Sequence, residues 1–91
     1  MSHVARRVHV RGLVQGVFFR AWTAEHARQL GVTGWVRNAD DGSVEAHLEG
    51  EKWPVQQLID LLDRGPPSAQ VSNVAVEDAE TERTDRFEVR H

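Results

Sequence analysis

Apolar residues recur along the chain with two different periods. Across residues 4–13, Val8 and Val10 alternate with Arg7, His9 and Arg11, and a period of two is that of a half-buried strand. From Phe18 the period lengthens. Phe19, Trp22, Ala27 and Leu30 fall on one helical face, and Glu25, Arg28 and Gln29 fall off it. Gly31 stands where the glycine that ends a helix belongs. A second strand is predicted over 32–38, and Asp41-Gly42 within "NADDGSV" is a hairpin signal. Residues 43–49 alternate again, with Val44, Ala46 and Leu48 inward and Glu45, His47 and Glu49 outward. Pro54 suits the first turn of a second helix. Its apolar stripe is Val55, Leu58, Ile59 and Leu62, and "RGPPS", residues 64–68, ends it. Val71, Val74 and Val76 mark a fourth strand whose alternation breaks between Val71 and Val74. Phe87 and Val89 mark a short last one.

The predicted order is therefore β-α-β-β-α-β with a short extra C-terminal strand. Two right-handed β-α-β halves place both helices on one face of an antiparallel sheet, which is the α+β ferredoxin-like sandwich. The other sheet face is expected to meet water. There Arg7, His9 and Arg11 would oppose Glu45, His47 and Glu49 as exposed cross-strand charge pairs, each worth at most about 1 kcal/mol. With both helices against the sheet no long apolar stripe remains, so a monomer is expected.

The length of 91 residues fits one domain, residues 1–91, able to bury roughly 60–65% of its unfolded surface. The net charge of −3 gives no basic footprint for nucleic acid and no polybasic membrane patch. There is no cysteine, which excludes disulfides, thiolate catalysis and Cys-based zinc sites. No apolar run approaches the ~20 residues of a membrane span. The start, "MSHVARRVHV", lacks the apolar region of a signal peptide. A cytoplasmic location is expected. His3, His9, His26, His47 and His91 show no metal-ligand spacing, and neither metal nor cofactor is expected. Asp40 and Asp41 read as hairpin formers, Glu45 and Glu49 as a solvated strand face, and Trp22, Trp35 and Trp53 as packing residues.

Element lengths bring two distant residues together. The first helix, Phe19 to Leu30, runs back along the sheet for about 17 Å at ~1.5 Å per residue. The second strand, Thr33 to Asn38, returns about 17 Å at ~3.3 Å per residue. Asn38 should then lie at the same sheet end as the 15–20 loop and Arg20. Gly16 lets the backbone approach a ligand or take a positive φ, and amides at a helix start are unpaired donors facing the positive end of the helix dipole. Arg20 adds a permanent charge in a planar fork matched to phosphate oxygens. Asn38 carries a donor and an acceptor and can hold a water in a set direction, although it cannot act as a base.

Two blocks of sequence resemble the acylphosphatases, small hydrolases of carboxyl-phosphate mixed anhydrides. One is "VRGLVQGVFFRAW", residues 10–22, and the other is "GVTGWVRNADDGSVEAHLEG", residues 31–50. "RGPPSAQVSNVAV", residues 64–76, is a weaker third match, and "FEVRH" resembles the family's closing strand. The resemblance implies the same ferredoxin-like fold. It also implies that Arg20 binds the substrate phosphate with the backbone amides of Gln15, Gly16, Val17, Phe18 and Phe19, and that Asn38 orients the attacking water. The ligands implied are a small acyl phosphate and inorganic phosphate. His91 departs from the residue usual at the family's end, which bears on terminal packing or a carboxylate contact.

Three other readings share the fold. An RNA-recognition domain displays aromatics on its open sheet face for base stacking, whereas strands one and three here show Arg, His and Glu. A non-catalytic anion-binding or regulatory ferredoxin-like domain would use the same loop without turnover. An acylphosphatase site working on a carbamoyl-phosphate-like group inside a larger machine would ordinarily be fused to further domains.

Overall fold

In the computed structural model, which describes residues 3–91, the first strand is β1, His3–Leu13. It is followed by α1 (Phe19–Leu30), β2 (Thr33–Asn38), β3 (Val44–Glu51), α2 (Lys52–Arg64), β4 (Gln70–Asp78) and β5 (Phe87–Arg90). The sheet order is β4-β1-β3-β2-β5. The three pairings among β4, β1, β3 and β2 are those of the ferredoxin-like sandwich, with β1 antiparallel to β3 and β4, and β2 antiparallel to β3. The expected short extra strand, β5, joins the antiparallel sheet at its other edge and lies parallel to β2, so the five-stranded sheet is mixed. The first two residues of the expected 1–91 domain lie outside the described residues.

The core forms where Val8, Val10, Val36, Val44, Ala46 and Leu48 of the sheet meet Phe19, Ala24, Ala27, Val55, Leu58 and Leu62 of the helices. The α2 stripe is as the periodicity gave it, with Val55, Leu58, Ile59 and Leu62 buried. The α1 stripe is rotated from the expected one. Thr23 and Ala24 are buried, while Trp22 and Leu30 are only half-buried. Thr23 is admitted to the core because its hydroxyl donates to the Phe19 carbonyl at 2.8 Å, which satisfies its polar atom. Gly31 ends α1 at φ 73°, and the Val32 amide returns to the Ala27 carbonyl at 2.9 Å. The break in the β4 pattern is a β-bulge. Arg11 pairs with Asn73 but Gly12 pairs with Val71, so one residue of β4 is left over and the side-chain alternation resets.

Over β3 the open face of the sheet does not meet water, which is the main correction to the sequence reading, while Arg11, Arg37, Asn73, Ala75 and Glu77 on the neighbouring strands stay exposed. β4 and β5 lie on opposite edges, so the segment between them, residues 79–86, must cross the sheet. Its Ala79 amide donates to the Ala5 carbonyl of β1 at 3.1 Å, and the Gly34 amide of β2 donates to the Arg86 carbonyl at 2.9 Å. Beneath this strap Glu45, His47 and Glu49 are 7%, 0% and 1% exposed. Glu49 accepts from the Thr81 hydroxyl at 2.7 Å and from the Glu82 amide. His47 Nε2 lies 2.6 Å from Glu49 Oε2, and Arg7 Nη2 lies 3.4 Å from His47 Nδ1. An imidazole protonated on Nε2 satisfies both contacts. Burial pushes the Glu49 carboxyl up, but the bonds from Thr81, His47 and the Glu82 amide outweigh it and hold it at about 2. Glu45 is likewise held below the carboxylate range, burial being outweighed by Arg37, His9 and Arg7. Of the expected cross-strand pairs, Arg7 and His9 do meet Glu45, at 3.4 and 3.2 Å, whereas Arg11 turns to Asp41. Trp35 is buried and its Nε1 donates to Glu82 at 3.0 Å. Trp53, expected to pack, is instead 74% exposed.

Candidate active site

The loop between β1 and α1 takes an alternating backbone. Gly16 has φ 74° and Phe18 has φ 60°, with Val17 between them at negative φ. Alternation of this kind turns successive N–H groups toward one point and makes an anion-binding concavity. Phe18 is left-handed at φ 60°, ψ 23° in the position that caps α1, a conformation that costs a residue with a Cβ about 1–2 kcal/mol. No amide of residues 15–18 donates to a protein acceptor among the described residues. The first helical bond runs from the Trp22 amide to the Phe18 carbonyl at 3.0 Å, so the amides of Phe19, Arg20 and Ala21 precede the helical ladder.

Beside these amides is a cleft of about 340 Å³. Its polar groups are Arg20, Asn38 and His91, and Gly16 forms part of its wall. Its apolar walls are Val14, Phe18, Phe19, Ala21 and Val89. No carboxylate side chain lines it among the described residues. Arg20 is half-buried, and its Nη1 donates to the Arg90 carbonyl at 2.9 Å and to His91 Nδ1 at 3.1 Å. These contacts fix the fork from one side. Its Nε and Nη2 donors have no other protein partner among the described residues. The half-buried Asn38 carboxamide likewise has none. From the cleft wall the carboxamide can give a donor and an acceptor to a water or ligand.

Of the residues singled out in the sequence, Gly16, Phe18, Phe19, Arg20 and Asn38 thus share one cleft, as the lengths of α1 and β2 implied. Gln15 and Val17 contribute no side chain to it. The Gln15 amide Nε2 donates to the Ala39 and Ser43 carbonyls, both at 2.9 Å, and so ties the loop to the β2–β3 hairpin that follows Asn38. Val17 is half-buried against the core. Asp41 shapes that hairpin as expected. Hydrogen bonds from the Ser43 hydroxyl and amide, helped by Arg11 and opposed weakly by burial, hold its carboxyl at about 2. Sequence reasoning missed Val14, Ala21, Val89 and the contact of His91 with Arg20. No signal in the sequence places Val89 and His91 there, because they arrive through the parallel pairing of β5 with β2.

Fold and cleft together define a small ferredoxin-like domain with a cleft lined by Gly16, Arg20 and Asn38 at a β-α junction. Residues 6–89 match the acylphosphatase family. The acylphosphatase of Rhizorhabdus wittichii is 53% identical over 77 residues, spanning 85% of this chain and 78% of that one. That of Haloquadratum walsbyi is 50% identical over 92 residues, 99% of each chain. Among solved structures, an acylphosphatase from Coxiella burnetii superposes with a TM-score of 0.94 at 42% identity, covering 98% of this chain and 94% of that one. The chain belongs to the acylphosphatase family. It is an enzyme that hydrolyses acyl phosphates.

Proposed function

We propose that Arg20 and the backbone amides of residues 15–20 hold the phosphate of the substrate, and that Asn38 directs the attacking water at phosphorus. The observation that carries this reading is that Gly16, Arg20 and Asn38, from different elements, line one cleft. An acyl phosphate is already activated, because its carboxylate leaving group is a weak base. The site therefore needs no covalent nucleophile. Water adds to phosphorus as the bond to the acyl oxygen breaks. The carboxylate leaves with the bonding pair, and a non-bridging phosphate oxygen takes the proton of the water. Arg20 and the amides neutralise charge on the transferring group, and Asn38 supplies alignment. The enzyme is proposed to act as a cytoplasmic monomer on a small molecule, with residues 1–91 as one domain and neither nucleic acid nor a membrane as partner. The net charge of −3 supports the absence of a nucleic-acid role.

Arg20→Ala tests the anchor. Charge-assisted contacts are worth roughly 1.5–3 kcal/mol, so phosphate inhibition is expected to weaken about 10- to 100-fold and turnover of benzoyl phosphate to fall as well. Wild-type turnover is expected to survive EDTA. Unchanged phosphate inhibition in Arg20→Ala, or loss of activity on chelation, would overturn this assignment.

A further inference from the structure

His91 places a ring that can change its charge directly beside Arg20. Arg20 Nη1 carries two hydrogens. One goes to the Arg90 carbonyl at 2.9 Å and the other to His91 Nδ1 at 3.1 Å. To accept that bond Nδ1 must be unprotonated, so the ring is the neutral tautomer with its proton on Nε2. The Nε2–H has no protein partner among the described residues, and His91 lines the same cleft as Gly16, Arg20 and Asn38. Packing does not account for the residue, which is exposed and follows the last strand.

Protonation of the ring reverses this arrangement. Nδ1 becomes a donor, its bond from Arg20 is lost, and two cations stand side by side. Without an anion that state is unfavourable. A doubly charged anion at Arg20 removes the conflict, because it accepts both from the ring and from the Nη1 hydrogen that the ring has released. Proton and anion then assist each other's binding. The surrounding charges are engaged elsewhere. On α1, Arg28 donates to the Phe87 carbonyl at 2.9 Å, His26 packs edge-on against Trp22, and Glu25 is exposed. On β2, Arg37 donates to Glu45 at 2.6 Å. On β5, Glu88 meets Arg86 at 3.2 Å and Arg90 at 4.0 Å. Residues 14–18 carry no charged side chain. Among the described residues that line the cleft, no other side chain takes up a proton between about pH 5 and pH 8.

We propose that His91 is a second, proton-dependent ligand of the phosphate group, so that anion affinity at the cleft rises as the pH falls and product phosphate is held more tightly in acid. This rests on the placement of the phosphate at Arg20 and the loop amides.

The test uses sulfate, which stays doubly charged through this range, as an inhibitor of benzoyl phosphate hydrolysis at fixed ionic strength. For wild type the inhibition constant is expected to fall about five- to tenfold between about pH 8 and pH 5, the scale of one charge-assisted contact at a half-open site. His91→Gln keeps a donor and an acceptor but takes up no proton, and its inhibition constant is expected to vary less than about twofold over the same range. The His91 ring signals in proton NMR, identified by their loss in His91→Gln, are expected to titrate roughly 0.7–1 pH unit higher in saturating sulfate, the logarithm of the same factor. A flat wild-type profile, a His91→Gln protein that keeps the wild-type slope, or ring signals indifferent to sulfate would overturn the inference. Arg20→Ala keeps the two readings apart. Loss of sulfate inhibition in Arg20→Ala beside a flat wild-type profile would leave the anchor standing and remove His91. Unchanged sulfate inhibition in Arg20→Ala, with a wild-type slope that still depends on His91, would remove the anchor and leave His91 as an anion ligand.

Discussion

Two glycines of the first block separate a structural demand from a functional one. Gly12 sits at φ 131°, and a Cβ there would lie 2.1 Å from the Gln70 carbonyl oxygen and 2.9 Å from the Ser72 amide. Both are backbone atoms of the bulged strand, so no rotamer change relieves the collision. Gly12→Ala is expected to lower unfolding free energy by roughly 3 kcal/mol or more, measured by urea denaturation. A change below 1 kcal/mol would show that β1 and β4 do not pair closely there. Gly16 sits at φ 74° with nothing within 4 Å of an added Cβ. Its replacement by alanine meets only the left-handed backbone penalty of about 1–2 kcal/mol. The protein is therefore expected to stay folded, while weaker inhibition by inorganic phosphate reports the distorted cradle. Unchanged phosphate inhibition in a folded Gly16→Ala protein would count against the amides of that loop as anion donors.

Among the elements, the strap over residues 79–86 governs acid stability. Glu49 has its folded pKa depressed to about 2 from the usual 4.5. Its contribution is therefore complete above pH about 4.5 and is lost as pH falls from there toward 2. Glu45 is shifted in the same direction and adds to the same window. The wild-type Tm is expected to be flat above pH 5 and to drop steeply below 4.5. Glu49→Gln is expected to lower stability at pH 7 by roughly 3 kcal/mol, as when one partner of a buried ionic network is removed, and to flatten the acid limb. A wild-type Tm constant from pH 5 to pH 2.5 would contradict the role given to this carboxylate. The strap itself could not be read from the sequence. Residues 79–86 have no apolar period, and their course depends on which edge β5 joins. For the same reason the alternation Glu45, His47, Glu49 was legible as a strand face, while its burial was not. Periodicity reports which side of a strand a residue takes and does not report what later covers that side. The bulge, by contrast, was visible as the misplaced Val71 and Val74, because an inserted residue resets a period of two.

For the whole molecule, local patterns and element lengths together were enough to bring Arg20 and Asn38 to one end of the sheet. Nearly equal lengths of α1 and β2 return the chain to its starting level, and that is a property of the sequence alone. The far side of the cleft was not legible, because Val89 and His91 arrive through a parallel pairing of β5 with β2 that no local pattern encodes. The hold of Arg90 and His91 on the Arg20 fork follows from the same pairing. The molecule thus assembles its cleft from the beginning, middle and end of the chain, and the chemistry proposed for it divides between an anchor and a water-directing amide. The measurement that tests this division most directly is benzoyl phosphate hydrolysis by wild type and Asn38→Ala, with inhibition by inorganic phosphate recorded for both. The account expects kcat to fall about a hundredfold or more in Asn38→Ala, the scale of lost alignment of a reacting group, with phosphate inhibition within about threefold of wild type. A mutant that kept its kcat, or that lost phosphate affinity as severely as Arg20→Ala, would contradict it.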